Sequence, residues 1–231
     1  MPCAGSAREE SHLDKLHGVY NFEHPGGNFE VHLRAGGRFF APRFPEKSVW
    51  KCDNTCCENG TCHLLIEWGR YGQYVLDCDM ATLPPCCSGS AKGDPENWRK
   101  MTMKRPFTLQ ETMIMDSEWE FEHPGGSFAI EFRADGLNSF VCEDFPVKKA
   151  TWRLEESESE TPTVYINWGR YGEYELKMAH DGESMTGSAK GNAVEWRSAV
   201  RLRSLSEMKQ KSKRRERESC HGCKAGCMEC D

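Results

Sequence analysis

The chain has 231 residues, a mean hydropathy of −0.71, 29% charged residues and a formal net charge of −6. No apolar run approaches the roughly 18 residues that a membrane-spanning helix needs. The opening MPCAGSAREESHLD lacks the apolar core of a secretory signal and the Met-Gly start of a myristoylation signal. An acidic body argues against a nucleic-acid backbone as partner, and the expected address is cytoplasmic, with the 13 cysteines held as thiols.

Residues 1–16 form an N-terminal segment without a repeating pattern. From 17 to 104 the chain alternates apolar and polar residues in short runs, predicting six to eight strands near 18–24, 28–34, 37–42, 47–52, 62–68, 72–78, 86–92 and 97–104. Phe29, Val31 and Leu33 fall on one face of their run, with Glu30, His32 and Arg34 on the other; Leu64, Ile66 and Trp68 align in the same way. Residues 105–116, RPFTLQETMIMD, read as a linker with a short turn of helix. A second set of runs occupies 117–204, with Phe128, Ile130 and Phe132, then Val164, Ile166 and Trp168, then Tyr174 and Leu176 on common faces. Residues 205–231 are a tail of different character, with seven Lys/Arg against five Asp/Glu, so the body before it is the more acidic part.

The two sets of runs are copies of one unit. FEHPGGNFEVHLRAGG from Phe22 matches FEHPGGSFAIEFRADG from Phe121, and IEWGRYGQYVL from Ile66 matches INWGRYGEYEL from Ile166. GSAKG at Gly89 recurs at Gly187, and Trp98-Arg99 is answered by Trp196-Arg197. Matches that keep their order and a nearly constant spacing mean a tandem duplication. The fold class that follows is all-β, a duplicated antiparallel meander of about 90 residues per unit, closing as two small β-barrels. One barrel or sandwich shared by both units is the alternative. Closure removes the exposed edges that a short meander would otherwise leave.

Each unit opens with a small residue two before an aromatic, Gly18-Val19-Tyr20 and Ser117-Glu118-Trp119, and closes on Trp-Arg. A first-strand aromatic packed under a last-strand arginine resembles the closing device of the lipocalin-like, or calycin, barrels. Ser117 departs from the glycine of that pattern. The resemblance implies a barrel with an interior ligand site.

The duplicated His-Pro-Gly-Gly is similar to the haem-ligating tetrapeptide of the cytochrome b5 family. Here it lies among alternating strands, and no second axial histidine follows in a Phe-x-x-x-Gly-His context. Pro-Gly-Gly supplies a fixed φ and two residues tolerant of positive φ, so the motif reads as a hairpin turn and haem is not expected. His24 and His123 share parity with Phe22 and Phe121, which would aim both rings at a barrel mouth.

WGRYG brings an indole, a guanidinium and a phenol together at a strand end in both copies. One reading is a hairpin corner, with the indole in the core and the arginine stacked on an aromatic ring. The other is a ligand site of Trp68, Arg70 and Tyr71, and of Trp168, Arg170 and Tyr171, in which arginine clamps an anion and a ring stacks the ligand body. GSAKG lacks the spacing of a phosphate-binding loop and reads as small residues where two strands pass closely. Seven cysteines crowd the first unit, and only Cys142 lies in the second. In the tail, Cys220, Cys223, Cys227 and Cys230 form two CxxC pairs with the local bite for zinc, behind a basic run that also suits membrane attachment of an acylated tail. No catalytic template is present. The expected function is a non-enzymatic binding module for a small anionic or hydrophobic ligand, requiring no cofactor; the alternative is a protein-interaction scaffold with a metal-binding, redox-responsive or membrane-attached tail.

Overall fold

In a computed structural model of the chain, the structure describes residues 12–53 and 61–205. They fall into two compact units divided after Phe107, with Ala134–Asn138 grouped with the first. The first unit is a meander of β1 (Gly18–His24), β2 (Gly27–Arg34), β3 (Arg38–Phe40), β4 (Ser48–Asp53), β5 (Thr61–Trp68), β6 (Gln73–Asp79), β7 (Cys86–Ala91) and β8 (Asp94–Arg105). Neighbouring strands pair antiparallel, and β1 pairs with β8 to close the barrel. All eight strands expected from the sequence form at nearly the expected bounds.

The second unit repeats the course with β9 (Ser117–His123), β10 (Gly126–Phe132), β11 (Phe140–Val141), β12 (Thr151–Glu155), β13 (Thr163–Asn167), β14 (Glu173–Met178), β15 (Ser184–Ala189) and β16 (Asn192–Ser204). Its eight strands form one sheet in the order β11-β10-β9-β16-β15-β14-β13-β12. The seam lies between β11 and β12, where a Ser139–Thr151 bridge and the Phe140 N–H donating to the Ala150 carbonyl at 3.0 Å nearly close it. The equivalent β3–β4 junction is also thin, with Arg38–Val49 its one paired position. Two barrels, one closed and one nearly closed, therefore replace the alternative of a shared sheet.

Period-2 patterning explains the interior. Along β6, Tyr74, Leu76 and Cys78 are buried while Gln73, Val75, Asp77 and Asp79 are exposed. Tyr20, Phe22, Val31, Leu33, Leu64, Ile66, Leu76 and Met101 are all 1% exposed or less and form the first core. Trp119, Phe121, Ile130, Phe132, Val164, Ile166 and Leu176 form the second. Each large apolar side chain buried in this way contributes about 1.5–3 kcal/mol. The close passage of two strands that GSAKG anticipates is also present, between the paired neighbours β6 and β7 and between β14 and β15. A Cβ on Gly89 would lie 2.0 Å from the Val75 carbonyl oxygen, and on Gly187 2.0 Å from that of Glu175, so only glycine fits.

Each barrel is plugged at the end where its first strand begins. In the first, a 3-10 turn (His12–Leu16) buries Leu16, whose carbonyl accepts the Tyr20 hydroxyl at 2.8 Å. In the second, the plug is α1 (Leu109–Ile114), started by a capping box between Thr108 and Glu111. There the Trp119 indole N–H donates to Ser117 Oγ at 2.7 Å, and the Ser117 hydroxyl donates onward to the Ile114 carbonyl at 2.6 Å. The shorter reach of the indole explains the departure from glycine: a serine relay replaces the direct bond. The first copy has no room for it, because a Cβ on Gly18 would come 2.7 Å from the Arg105 carbonyl oxygen.

The same end of the first barrel gathers cysteines. Cys62 pairs across strands with Cys78, and Cys78 with Cys87. Disulfides join Cys52 to Cys62 and Cys78 to Cys87. The expectation of thiols throughout is thus corrected at four positions. Strand alternation turns these residues to the same interior, which brings their sulfurs within bonding reach. Leu154, Pro162, Met178 and Met185 stand at the matching places of the second unit, so the fold itself does not need the bridges. Cys86 and Cys142 remain free, the first half-buried and the second buried.

Two outcomes follow from the plugs and the thiols. Tyr20→Phe leaves the buried Leu16 carbonyl without its donor and should cost about 1–2 kcal/mol, whereas Ser117→Ala orphans two buried groups and should cost about 2–4 kcal/mol. Urea unfolding of the full chain measures both, and a smaller loss for Ser117→Ala would contradict the relay. Burial pushes the Cys142 thiol pKa up, ahead of the opposing backbone hydrogen bonds from Phe145 and Asp144, so less of it is thiolate near neutral pH. Timed alkylation with peptide mapping should therefore label Cys86 at least about tenfold faster than Cys142. It should label Cys52, Cys62, Cys78 and Cys87 only after reduction.

Candidate functional site

Opposite the plug, where β1 ends, the first barrel holds a cavity of about 160 Å³ lined by Phe22, His24, Phe29, Phe44, Trp68, Tyr71, Tyr74 and Arg99. The rings pack against one another, Phe29 on Phe44 edge to face and the other pairs tilted. Phe29 lies 4.9 Å from Phe44 and 5.7 Å from Trp68, and Trp68 lies 4.9 Å from Tyr71. Such pairs contribute about 0.5–1.5 kcal/mol beyond their burial. Two polar tips of the wall point to backbone, and the Tyr71 hydroxyl accepts from Arg70. Trp68 Nε1–H donates to the Phe44 carbonyl at 3.3 Å, and the Tyr74 hydroxyl donates to the Tyr71 carbonyl at 2.6 Å. The cavity is therefore faced by ring carbons, with its polar character concentrated in Arg99 and His24.

Arg99 is buried and stacks over Tyr74 at 4.8 Å and Phe22 at 5.9 Å. Its Nη1 donates to the Asn97 Oδ1 at 2.6 Å and to the carbonyls of Trp98, at 2.7 Å, and Asn97, at 3.2 Å. Every one of these partners is neutral, so the guanidinium keeps its full charge beside the cavity. This is the closing arginine of β8, and it packs on Phe22 of β1, two residues beyond the aromatic expected to meet it.

His24 is fixed by the turn that follows it. Its Nδ1 accepts the Gly26 N–H at 3.2 Å, and His123 accepts the Gly125 N–H at the same distance. Each residue of the tetrapeptide then has a part. Proline sets φ. The first glycine makes room for the imidazole, since a Cβ on Gly26 would sit 3.0 Å from His24 Cε1 and one on Gly125 2.8 Å from His123 Cε1. The second glycine takes φ of +131° at Gly27 and +136° at Gly126. With Nδ1 accepting, the ring proton of the neutral form belongs on Nε2. Burial lowers the His24 pKa, and the positive charges of Arg99 and Arg43 lower it further, so the neutral imidazole with an Nε2 donor is the form present near pH 7.

The sequence-derived site residues separate into two groups. Trp68, Tyr71 and His24 are brought together around the cavity. Arg70 is not among its lining; its side chain is 71% exposed, lies 5.1 Å over the Tyr71 ring, donates to the Tyr71 hydroxyl at 3.0 Å and sits 3.5 Å from Glu46. That is the hairpin-corner arrangement, set by the 3-10 turn Gly69–Tyr71 between glycines at φ +42° and +99°. In the second unit, Trp168 is buried against Phe128 and Phe145, Arg170 lies 4.9 Å over Tyr171, and His123 lies 5.4 Å from Phe128. Cys220, Cys223, Cys227 and Cys230 lie outside the described residues, as do Cys56 and Cys57. Among the described residues no group of three or more His, Cys, Asp or Glu could hold a metal ion, and no helix is long and apolar enough to cross a membrane.

Phe22, Phe29, Phe44, Tyr74 and Arg99 were not singled out as site residues by the sequence. The signal was present, because each has a counterpart in the second copy: Phe121, Phe128, Phe145, Tyr174 and Arg197. Shared need for a core and shared need for a cavity leave the same mark on a duplicated sequence.

Comparison of the chain with protein-family models, with curated proteins and with solved structures returned no match.

Proposed function

We propose that the first unit is a non-enzymatic binding module of lipocalin-like type, and that its ligand is a small aromatic anion held in the cavity of β1, β2, β5, β6 and β8. The observation that carries this reading is Arg99, a buried cation with neutral partners beside a cage of rings. An aromatic body would replace edge-to-face contacts among Phe29, Phe44 and Trp68. Its carboxylate would meet Arg99 and the Nε2–H of His24. A desolvated charge-assisted bond of this kind contributes more than the same pair in water.

Volume narrows the class. A cavity of about 160 Å³ is close to one of ~150 Å³ that takes a single benzene ring, so a one-ring carboxylate fits and a long-chain fatty acid does not. Neither role asks for a cofactor.

A protein-interaction role has one observation in its favour. Trp98 and Trp196 stand at matching places and are each 45% exposed, which is unusual for so large an apolar side chain.

Benzoate titrated into the full chain, followed by calorimetry and by the quenching of tryptophan fluorescence that Trp68→Phe should abolish, tests the binding reading. Arg99→Met should weaken binding by tenfold or more, equivalent to at least about 1.4 kcal/mol. Arg70→Ala should stay within about twofold, since an exposed charge beyond the cavity contributes little. No benzoate binding by the unaltered chain, or equal losses in the two variants, would reject the reading.

A further inference from the structure

The plugged end of the first barrel holds more sulfur than its fold requires. Cys62 of β5, Cys78 of β6 and Cys87 of β7 stand in one cross-strand row, Cys62 paired with Cys78 and Cys78 with Cys87. All three are 1% exposed or less and belong to the first core. Directly opposed residues on one face hold their Cβ atoms about 4.5–5.5 Å apart. Cys52 of β4 faces Leu64, two residues beyond Cys62, and packs half-buried against the same core, its Cα 6.4 Å from that of Cys62. The bridges Cys52–Cys62 and Cys78–Cys87 therefore lie side by side, and four sulfurs meet in one corner of the interior.

Placement separates these four from the other described cysteines. Cys86 alternates outward from Cys87, with its sulfur 3.8 Å from the Thr102 hydroxyl, and Cys142 belongs to the second core. In the second unit the four matching places carry Leu154, Pro162, Met178 and Met185, so a barrel of this type forms without sulfur there. The bridges span only ten and nine residues of sequence, and short loops are where a bridge restricts the unfolded chain least. Stability alone does not account for four converging sulfurs.

We propose that these residues form a zinc site in the reduced protein, and that the two bridges are its oxidised, metal-free form. Zinc takes four cysteine thiolates in a tetrahedron at about 2.3 Å, which sets the sulfurs roughly 3.8 Å apart, a spacing that a cross-strand pair can meet. While the bridges are closed the sulfurs are not ligands, in keeping with the lack of a metal-ready group among the described residues. On reduction, each bridge takes two electrons and two protons from two molecules of a monothiol, which leave joined as one disulfide. The four thiols give up four protons as zinc binds. In reverse, two molecules of peroxide take four electrons from the thiolates and four protons from water, leaving four waters, two bridges and free zinc. An all-thiolate set favours zinc over magnesium or calcium, which take oxygen. Half-buried Cys52 gives the ion a way in and gives the excess negative charge of the closed site a solvated side. The metal would tie β4, β5, β6 and β7 together at the plugged end, independently of the cavity at the other.

The test uses the full chain with Cys220, Cys223, Cys227 and Cys230 all changed to serine, because the two CxxC pairs of the tail have the spacing to take zinc themselves. The protein is reduced with a phosphine under exclusion of oxygen and titrated with cobalt(II) and then zinc, with far-UV circular dichroism to follow the fold. The intense visible bands of tetrahedral cobalt–thiolate should appear at one cobalt per chain after reduction and not before. Zinc should displace the cobalt, and peroxide should expel either metal. Cys78→Met and Cys87→Met install the residues that the second unit carries at those places, so both keep the fold, and each should weaken zinc binding by at least about tenfold. Cys86→Ser and Cys142→Ser should stay within about twofold. No cobalt bands from the reduced, folded chain would overturn the proposal, as would a reduced chain that loses its fold and does not regain it with zinc. Metal binding that survives both methionine variants, or that is lost with Cys56→Ser and Cys57→Ser in their place, would put the site elsewhere and overturn it too.

Discussion

Closure of a short meander on itself is the constraint from which the rest of this protein follows. Pairing of β1 with β8 satisfies the backbone of strands only three to twelve residues long, and it encloses a space that one inward row per strand must fill. The end where β1 begins is stopped by Leu16 under the Tyr20 hydroxyl. The end where β1 finishes is walled by rings that cannot all reach the barrel axis while their polar tips stay bonded to backbone. The cavity is what remains.

Duplication makes the division of labour visible. What both copies keep serves closure and the cage: the hairpin with its back-bonded histidine, the glycine at which β6 and β7 cross, the indole whose N–H meets the loop carbonyl. What they do not keep falls in two places. At the plugged end, a tyrosine–carbonyl bond in one copy becomes a tryptophan–serine–carbonyl relay in the other, and four bridged cysteines become Leu154, Pro162, Met178 and Met185. At the cavity end, the rings stay and the charges around them change. The copies thus diverge in packing at one end and in charge at the other, around a constant frame.

Arg99 combines a packing contact with a charge beside the cavity. Its stacking on Tyr74 and Phe22 helps close the barrel, and cation–π contacts that are largely desolvated reach about 2 kcal/mol. The same placement leaves a full positive charge against an apolar cavity. Asn97 holds the Arg99 guanidinium through a neutral oxygen, whereas Glu195 lies 3.4 Å from the Arg197 guanidinium.

The sequence alone determined the all-β class, the strands and the duplication, while closure of each unit on itself was decided by the tertiary structure. Alternation at Phe29, Val31 and Leu33, or at Leu64, Ile66 and Trp68, reads directly as a face because successive side chains of a strand point to opposite sides. Order and spacing of the repeats declared the duplication, and the hairpin chemistry of Pro-Gly-Gly was legible as such. The sequence nominated His24 by strand parity and Trp68, Arg70 and Tyr71 by motif. It put the candidate clamp at Arg70 and read Arg99 only as the closing residue of its unit, since both arginines sit beside aromatic residues in both copies. That choice belongs to tertiary structure. A 3-10 turn throws Arg70 outward onto Tyr71, while the inward parity of β8, fixed only by its pairing with β1 and β7, sends Arg99 to the cavity wall. The pairing of Cys52 with Cys62 and of Cys78 with Cys87 was hidden for the same reason. Cross-strand register joins residues that are distant in sequence, and register is set by the closed sheet as a whole.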